Sequence, residues 1–589
     1  MMELANGAAS NLSVSDVSVS VQKKIVGVVG NDSNNGHGPL LAALAELYPV
    51  EFHRASSGAY HGLDALLLLD GNSDELLPAA AAGLSCLVAG GSRGLELSAG
   101  SGEVRFGASN VLDDCLHHRT MVARGSDLPA FVPGIERGDE VLASVGGKPI
   151  WLARSCEKGT CQITRTSLPL IREKDFLFQY FNEERFLELL PVMNFLSQLV
   201  KDTNWQSTSL PACLVIDDPS LYWPSYGHLD FGRLAEHAKK DNFFVSVATI
   251  PLDAWWVHRR VAEMFRSYNP RLSLLIHGNN HTARDMLPEN DSGVCLSVAA
   301  QALRRMERLQ RVHGLEVLKI MEAPHGAITN EMFPHLLALG YEAALGTTRL
   351  LVKHNPNVTW PASFGLHRSQ ILGGGLPVIP RIKITPNWGN AVLLAAFLRQ
   401  PIVIVLHHGD IADGYEPLIE IAGMINQLAG VTWASPLEIA RSNYTELRRE
   451  DSLTVKMYSR RIQLAIPPNV KSLYLNRPWP QNGSCDEVIV RNSVREIFRG
   501  SGLGMLDPVP VESERQLEIY CPPGNPVDYR SVPAPGFRCW PLTRKFLMEA
   551  RDRSAPWRYL VKKLLRVPPV DGAEKPRSRD LWPAQSRKR

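Results

Sequence analysis

The feature that most constrains this chain is an apolar run that ends in two adjacent carboxylates, Leu214-Val-Ile-Asp-Asp-Pro-Ser220. Because an unpaired buried carboxylate is costly, acids at the end of an apolar strand normally face a metal ion, a cation or a substrate. Two later apolar runs are also followed directly by polar side chains, in the segments His277-Gly-Asn-Asn-His281 and His407-His408-Gly409-Asp410. Parallel α/β folds bring the C-terminal ends of their strands to one face, so we expect one site there.

Length and pattern predict several domains. At 589 residues the chain exceeds what one hydrophobic core usually organises. Strands that alternate with helical patterns predict an α/β barrel, whole or distorted, and later short strands predict an antiparallel sandwich. The expected organisation is a disordered leader (1–20), an α/β domain (21–175), connecting helices (176–208), the central β/α barrel (209–445), a small β-sandwich (451–532) and a basic tail (533–589).

The first domain lacks the nucleophile of the proteins it resembles. Its apolar runs at 24–29, 65–69 and 84–88 resemble the flavodoxin-like sheets of class I glutamine-amidotransferase-like domains. Those enzymes need a Cys flanked by glycines at a strand-to-helix turn, whereas Cys86 stands between Ser85 and Leu87. The glycines at 27–38 fit neither the dinucleotide nor the P-loop spacing, which favours ordinary turns over phosphate binding. We expect a structural or partner-binding domain.

Charge and cysteine content predict the compartment. The nine cysteines include no Cys-x-x-Cys pair, and no secretory signal is visible, so reduced thiols in a cytoplasm are expected. Pairing of Cys156 with Cys161 remains an open alternative. From residue 536 onward there are fifteen Lys/Arg and five Asp/Glu, a balance of +10. Apolar residues at helical spacing within 542–566 predict a helix that contacts an anionic membrane at its inner face, with a solvated or packed helix as the alternative. No nucleic-acid partner is expected.

Four motifs carry a resemblance to a known family. Ile216-Asp-Asp218, His277-x-x-x-His281, Glu322-Ala-Pro-His-Gly326 and Leu406-His-His408 resemble, in order and approximate spacing, the motifs of the polysaccharide deacetylases, also called the NodB-homology or carbohydrate esterase 4 family. The resemblance covers about 209–445. It implies that Asp217 is a general base, that Asp218, His277 and His281 are metal ligands, and that His408 is a general acid.

The implied activity is metal-dependent removal of an acetyl group, or cleavage of a related C–N bond, on a sugar or glycan precursor. Two neutral imidazoles and a carboxylate leave open positions on a divalent ion and suit zinc or another first-row metal. In isolation an Asp-Asp pair is more often a turn or cap, and a His-x-x-x-His a solvated helix face. Their joint placement after apolar strands favours the metal site.

The sequence departs from the family at three places. The family's Asp-Asp-Gly is Asp-Asp-Pro here, which fixes φ after the acids. Glu322 stands where the family has an arginine that orients the base, so Glu322 either disrupts that arrangement or takes a new catalytic role. Asn387-Trp388 stands where an acid normally precedes the tryptophan.

Sugar contacts are predicted from residues around the same strand ends, with simple packing as the alternative for the aromatic ones. The predicted substrate-binding residues are Tyr222, Trp223, His325, Trp388 and Asp410. The rival to a hydrolase is a non-catalytic carbohydrate-binding or scaffold protein in glycan biosynthesis, in which Glu322 and Asn387 record lost chemistry.

Overall fold

The computed structural model describes residues 23–565 apart from short gaps. The predicted leader and the tail after residue 565 lie outside the described residues. The gaps are 31–34, 57, 70–82, 91–100, 125–126, 130, 133, 157–158, 208, 269–270, 283–284, 288–290, 480–485, 492–493, 500–508, 512–515 and 537–538.

The N-terminal part forms a mixed sheet with nine strands among the described residues. They lie in the order Val50–Arg54, Lys24–Val29, Ala65–Leu68, Ser85–Val88, Thr160–Thr164, Lys148–Ser155, Glu140–Val145, Ser101–Phe106 and Thr120–Arg124. The first five are parallel, in an order that flavodoxin-like sheets also have, and antiparallel strands extend them. Gly146 and Gly147, both with positive φ, form the hairpin turn between Glu140–Val145 and Lys148–Ser155. Cys86 and Cys156 each lie close to Cys161, with Sγ–Sγ distances of 2.8 and 3.1 Å, and all three are free thiols.

The central sheet is almost entirely parallel, because apolar runs of four to eight residues are buried on both faces. Its strands lie in the order Gln370–Leu372, Leu376–Pro380, Ala343–Gly346, Val317–Glu322, Leu272–His277, Val245–Thr249, Leu210–Asp217, Ile402–Leu406 and Ile382–Lys383, with Val431–Trp433 beside Leu210–Asp217. Among the described strands of this sheet, only the edge strand Gln370–Leu372 is antiparallel to its neighbour.

The predicted barrel was wrong as a closed structure, because the described strands form an open sheet. Leu376–Pro380 and Ile382–Lys383 lie on opposite sides of the opening, and Arg381 links them. Among the described residues, no strand pairing joins Leu376–Pro380 to Ile382–Lys383, which are consecutive in the chain. Pro377 and Pro380 also have no backbone N–H that could donate to a neighbouring strand. The class is therefore α/β with mixed sheets, and Arg381 sits at the opening.

Helices cover the faces of both sheets. Among the described residues up to 441, the α-helices are Gly38–Leu47, Leu190–Leu199, Phe231–Lys240, Arg259–Ser267, Ser292–His313, Met332–Ala338, Thr348–His354, Trp388–Phe397, Glu416–Asn426 and Pro436–Arg441. The 3-10 turns are Asn35–His37, Asp114–Leu116, Leu177–Gln179, Pro251–Asp253, Pro324–Gly326 and His408–Ile411, and Ser225–Tyr226 pairs with Leu229–Asp230. One hydrophobic core joins the N-terminal part to the central one.

Two four-stranded sheets follow in the segment where the sandwich was predicted, and they share a core of apolar side chains. One contains Tyr444–Arg449, Ser452–Met457, Ser472–Asn476 and Val509–Pro510, and the other contains Arg461–Ala465, Gln516–Tyr520, Asp486–Arg491 and Val494–Arg499. The pairing is antiparallel except between Ser452–Met457 and Ser472–Asn476. The domain boundaries themselves stay predictions.

The predicted C-terminal helix is two helices, Cys539–Arg553 and Ala555–Leu565. None of the helices in the described part of the chain combines the length and the apolarity that a membrane span requires. The first of these two helices lies over the carboxyl end of the central sheet, where it contacts the predicted site residues.

Candidate functional site

Three predicted metal ligands lie at the ends of nearby strands. Leu210–Asp217 pairs with Val245–Thr249, which pairs with Leu272–His277, so Asp218 and His277 leave the sheet at the same edge. The Oδ1 atom of Asp218 is 2.9 Å from Nε2 of His277 and 2.8 Å from Nε2 of His281. The three donor atoms therefore lie within reach of one ion.

The donor set fits a divalent metal. Asp218 Oδ1 and His281 Nε2 are buried, and no directional hydrogen bond within the described chain satisfies either atom despite their proximity. Burial alone would raise the pKa of Asp218, but His281 and His277 outweigh it and hold that pKa well below its usual range. Burial lowers the pKa of His281. A carboxylate and neutral imidazole are the protonation states that a zinc-type ion binds.

The loop that carries His281 is organised by Asp285. One of its carboxylate oxygens accepts the backbone N–H groups of Asn279, Asn280 and His281 at 2.6, 2.6 and 3.0 Å. Gly278 has φ +58°, and a Cβ there would lie 2.5 Å from Pro324. The close turn therefore needs glycine at this position and a carboxylate in the loop to place His281.

Left-handed backbone is concentrated at the site. Asp218, His281 and His325 have φ of 74°, 55° and 57°, which makes them three of the seven non-glycine residues with positive φ in the described chain. For Asp218 this conformation precedes Pro219, which disfavours the right-handed helical region. Such strained residues cluster where side-chain placement matters for function.

Arg381 connects the two buried acids behind the metal ligands. Its guanidinium donates to Glu322 Oε1 and lies 3.5 Å from Asp217 Oδ2. Burial raises the pKa of Asp217 well above its usual range, Glu322 adds to the increase, and Arg381 offsets only part of it. Glu322 also lies 4.0 Å from Nδ1 of His277. The cation expected from the third motif is thus present, but it comes from the opening of the sheet.

Two adjacent histidines face different acids. Nε2 of His407 is 4.0 Å from Asp217 Oδ2, whereas Nε2 of His408 is 3.7 Å from Oδ1 of Asp552. Gly227, with φ +56°, allows the His408 ring to approach, because a Cβ there would lie 2.4 Å from its Nδ1. Asp552 also accepts a hydrogen bond from the Tyr226 hydroxyl at 2.5 Å. His408 therefore has a carboxylate partner from the C-terminal helix.

The predicted substrate contacts divide into two groups. His325 stacks near His281, with ring centroids 5.4 Å apart, and Tyr222 and Trp223 lie under Lys545 and Arg553 of the C-terminal helix. Trp388 instead packs on the core at the start of its helix, and Asp410 accepts the backbone N–H of His407 at 2.8 Å. The structure therefore places His325 beside the proposed ligand His281, and Tyr222 and Trp223 against the C-terminal helix, while Trp388 packs and Asp410 caps a turn.

Sequence reasoning missed four groups at the site: Tyr226, Asp285, Arg381 and Asp552. Arg381 follows an apolar run, 376–380, so the strand-end signal used for the other motifs applied to it as well. Asp552 offered no such signal, because it lies in a basic helix far along the chain from His408.

No protein-family profile and no curated protein sequence matches the chain, and its similarity to solved structures is distant. A Mycobacterium smegmatis protein assigned to the polysaccharide deacetylases is 15% identical with a TM-score of 0.28, over 40% of this chain and 91% of that one. A family 4 carbohydrate esterase from Streptomyces lividans, in complex with acetate, is 13% identical with a TM-score of 0.23, over 39% and 93%. A pseudoenzyme of the same esterase family from Bacillus anthracis is 11% identical with a TM-score of 0.24, over 38% and 61%. The chemistry of the site follows from its own geometry.

Proposed function

We propose that the chain is a metal-dependent hydrolase that removes an acetyl group from a sugar or glycan precursor. The observation that carries the proposal is that Oδ1 of Asp218 lies 2.9 Å from Nε2 of His277 and 2.8 Å from Nε2 of His281, with the buried Asp217 adjacent to Asp218 in the chain. Zinc or another first-row ion suits this donor set, with Glu322 and Arg381 as the neighbours that hold Asp217 in place.

A divalent ion bound there would polarise the acyl carbonyl and acidify a water molecule. Asp217 would accept a proton from the attacking water, because it directly precedes the proposed ligand Asp218 and is the base that the resemblance implies. His408 would donate a proton to the departing amine or alcohol, so that the water oxygen ends in acetate. His407 is the second candidate for this acid, since it lies 4.0 Å from Asp217. Tyr222, Trp223 and His325 would contact the sugar.

The test is acetate release from a panel of N- and O-acetylated sugars after chelation and after addition of Zn²⁺. We expect zinc-dependent release that Asp217→Asn reduces by on the order of 100-fold or more, whereas the exposed Asp114→Asn leaves it unchanged. The panel is run on the full chain and on a chain that ends at Ala534, because the helix Cys539–Arg553 contacts His281 and His408. Binding of sugar and metal with no acetate from either chain would instead indicate the carbohydrate-binding or scaffold protein.

A further inference from the structure

The helix Cys539–Arg553 covers the candidate site. Arg544 donates to the carbonyl of His281 and lies 3.1 Å from its Nδ1, and Lys545 pairs with the buried Asp253. Further along the helix, Glu549 Oε1 accepts a hydrogen bond from Ser220, and Asp552 lies against His408. The helix therefore spans the site from a proposed metal ligand to the proposed acid.

Almost no space remains beneath this helix. The cavity bounded by Asp218, Tyr226, His281, Arg544, Lys545 and Met548 has a volume of about 10 Å³. A cavity needs about 10–15 Å³ to hold a single water molecule, so a sugar ring cannot fit in this one. The helix must move before a glycan reaches Asp218, which makes it a lid on the site.

The lid has the opposite polarity to an ordinary surface helix. The side chains that face the protein are mostly charged, whereas the exposed side chains are mostly apolar, with Thr543, Arg551 and Arg553 also exposed. Phe546 is 78% exposed and Leu547 62%, and on the following helix Trp557 is 74% exposed. The other exposed large apolar residues of the two helices are Trp540, Leu542, Leu560 and Val561. Seven large exposed apolar side chains on two consecutive helices indicate a binding face.

The net positive charge of these helices indicates an anionic binding partner. Residues 539–565 contain seven Lys/Arg and two Asp/Glu, and both acids, Glu549 and Asp552, face the protein. Arg558 and Lys563 are exposed beside the outward aromatic residues. Tryptophan, phenylalanine and leucine among cationic side chains form the composition that binds at an anionic lipid interface.

We propose that the outer face of the helices Cys539–Arg553 and Ala555–Leu565 docks on an anionic lipid surface, and that docking lifts the lid from the site. Once lifted, the charged inner face and the acids that it contacts become hydrated, while the apolar outer face leaves water. Substrate would then reach the site at the lipid surface. The inference rests on the proposed function only in taking the covered residues as the active site.

The first arm of the test is vesicle flotation of the full chain. We expect binding to phosphatidylcholine vesicles that contain phosphatidylglycerol, weaker binding at high salt, and none to phosphatidylcholine alone. The double variant Phe546→Ser/Leu547→Ser should bind on the order of tenfold or more weakly, because two large apolar side chains are lost. Ile135→Ser, at another exposed apolar residue, is the matched control and should bind as the unaltered chain does.

The second arm measures the lid without measuring deacetylation. Chelator-treated full chain is modified with diethyl pyrocarbonate, and peptide mass spectrometry follows His281 and His408, with the exposed His53 as reference. Vesicles that contain phosphatidylglycerol should accelerate modification of His281 and His408 on the order of tenfold and leave His53 unchanged. The acceleration should be absent in Phe546→Ser/Leu547→Ser.

Three outcomes overturn the inference. They are equal binding to both kinds of vesicle, binding with no acceleration at His281 and His408, and self-association through a face that Phe546→Ser/Leu547→Ser abolishes in the absence of lipid. An inactive protein that binds vesicles and uncovers His281 would remove the proposed deacetylation and leave the lid. An active protein that shows any of the three outcomes would remove the lid and leave the proposed deacetylation.

Discussion

At the scale of single residues, Arg381 explains how two acids can lie buried side by side. Asp217 and Glu322 are 4% and 0% exposed, and the Arg381 guanidinium lies between them. Burial, and then repulsion from Glu322, raise the pKa of Asp217, and Arg381 offsets part of that increase. Arg381 is thus the cation that both buried acids contact.

Replacing Arg381 with methionine should therefore destabilise the fold. We expect Arg381→Met to lower the free energy of unfolding by about 3–5 kcal/mol, because two buried carboxylates lose their cation. The double variant Arg381→Met/Glu322→Gln should recover more than half of that loss. Arg399→Met, which removes an exposed arginine paired with Asp113, should cost about 1 kcal/mol or less. Urea unfolding measures all three variants, and equal losses for Arg381→Met and Arg399→Met would contradict the prediction.

The proposed metal ligands give a second prediction at this scale. His277→Ala should reduce zinc affinity by on the order of 100-fold or more, since loss of an outer partner alone costs about 10–100-fold. Competition with a chromophoric chelator measures the affinity. His354→Ala, at a half-buried histidine that has no contact with the cluster, serves as control, as does Cys86→Ala in the N-terminal sheet. Full zinc binding by His277→Ala would remove that residue from the ligand set.

At the scale of elements, the loop after Leu272–His277 should depend on Asp285. Asp285→Ala leaves three backbone N–H groups without their acceptor, so His281 loses its fixed position. We expect zinc affinity to fall by about 10–100-fold. Asp291→Ala is the control, because Asp291 caps the helix Ser292–His313 on the exposed side and should cost about 1 kcal/mol of stability without affecting zinc. Isothermal titration of both variants decides between these expectations.

The sequence predicted the strands that are followed by acidic or histidine side chains. Asp217, Asp218, His277 and His281 follow apolar runs, and a parallel sheet brings such strand ends together whatever its loops do. It did not predict that the sheet stays open, because closure depends on a crossing at Arg381 that no periodicity signals. Nor did it predict the lid, since helical spacing shows that a face is apolar and not whether that face points inward. The outward direction of Phe546 and Leu547 is a tertiary fact.

At the scale of the whole molecule, the N-terminal sheet and the central domain are joined by a continuous core and by buried polar contacts. The side chain of Asn390 both accepts from the backbone N–H of Val122, at 3.1 Å, and donates to its carbonyl, at 2.7 Å. The backbone N–H of Ser363 donates to Glu46 at 3.1 Å. His367 lies next to this junction, with its Nε2 3.0 Å from Ser363 Oγ.

The pKa of His367 predicts how the stability of this junction depends on pH. Burial, with a smaller contribution from Lys456, lowers that pKa from 6.5 to about 4. Between about pH 6.5 and about pH 4 the unfolded chain binds a proton that the folded chain does not, so the free energy of unfolding falls as the pH decreases through this range. The full loss is about 3 kcal/mol. His367→Gln should remove this part of the pH dependence while retaining a partner for Ser363, whereas His53→Gln, at an exposed histidine, should not. Urea unfolding across this pH range would contradict the prediction if the unaltered chain and His367→Gln lost stability in parallel.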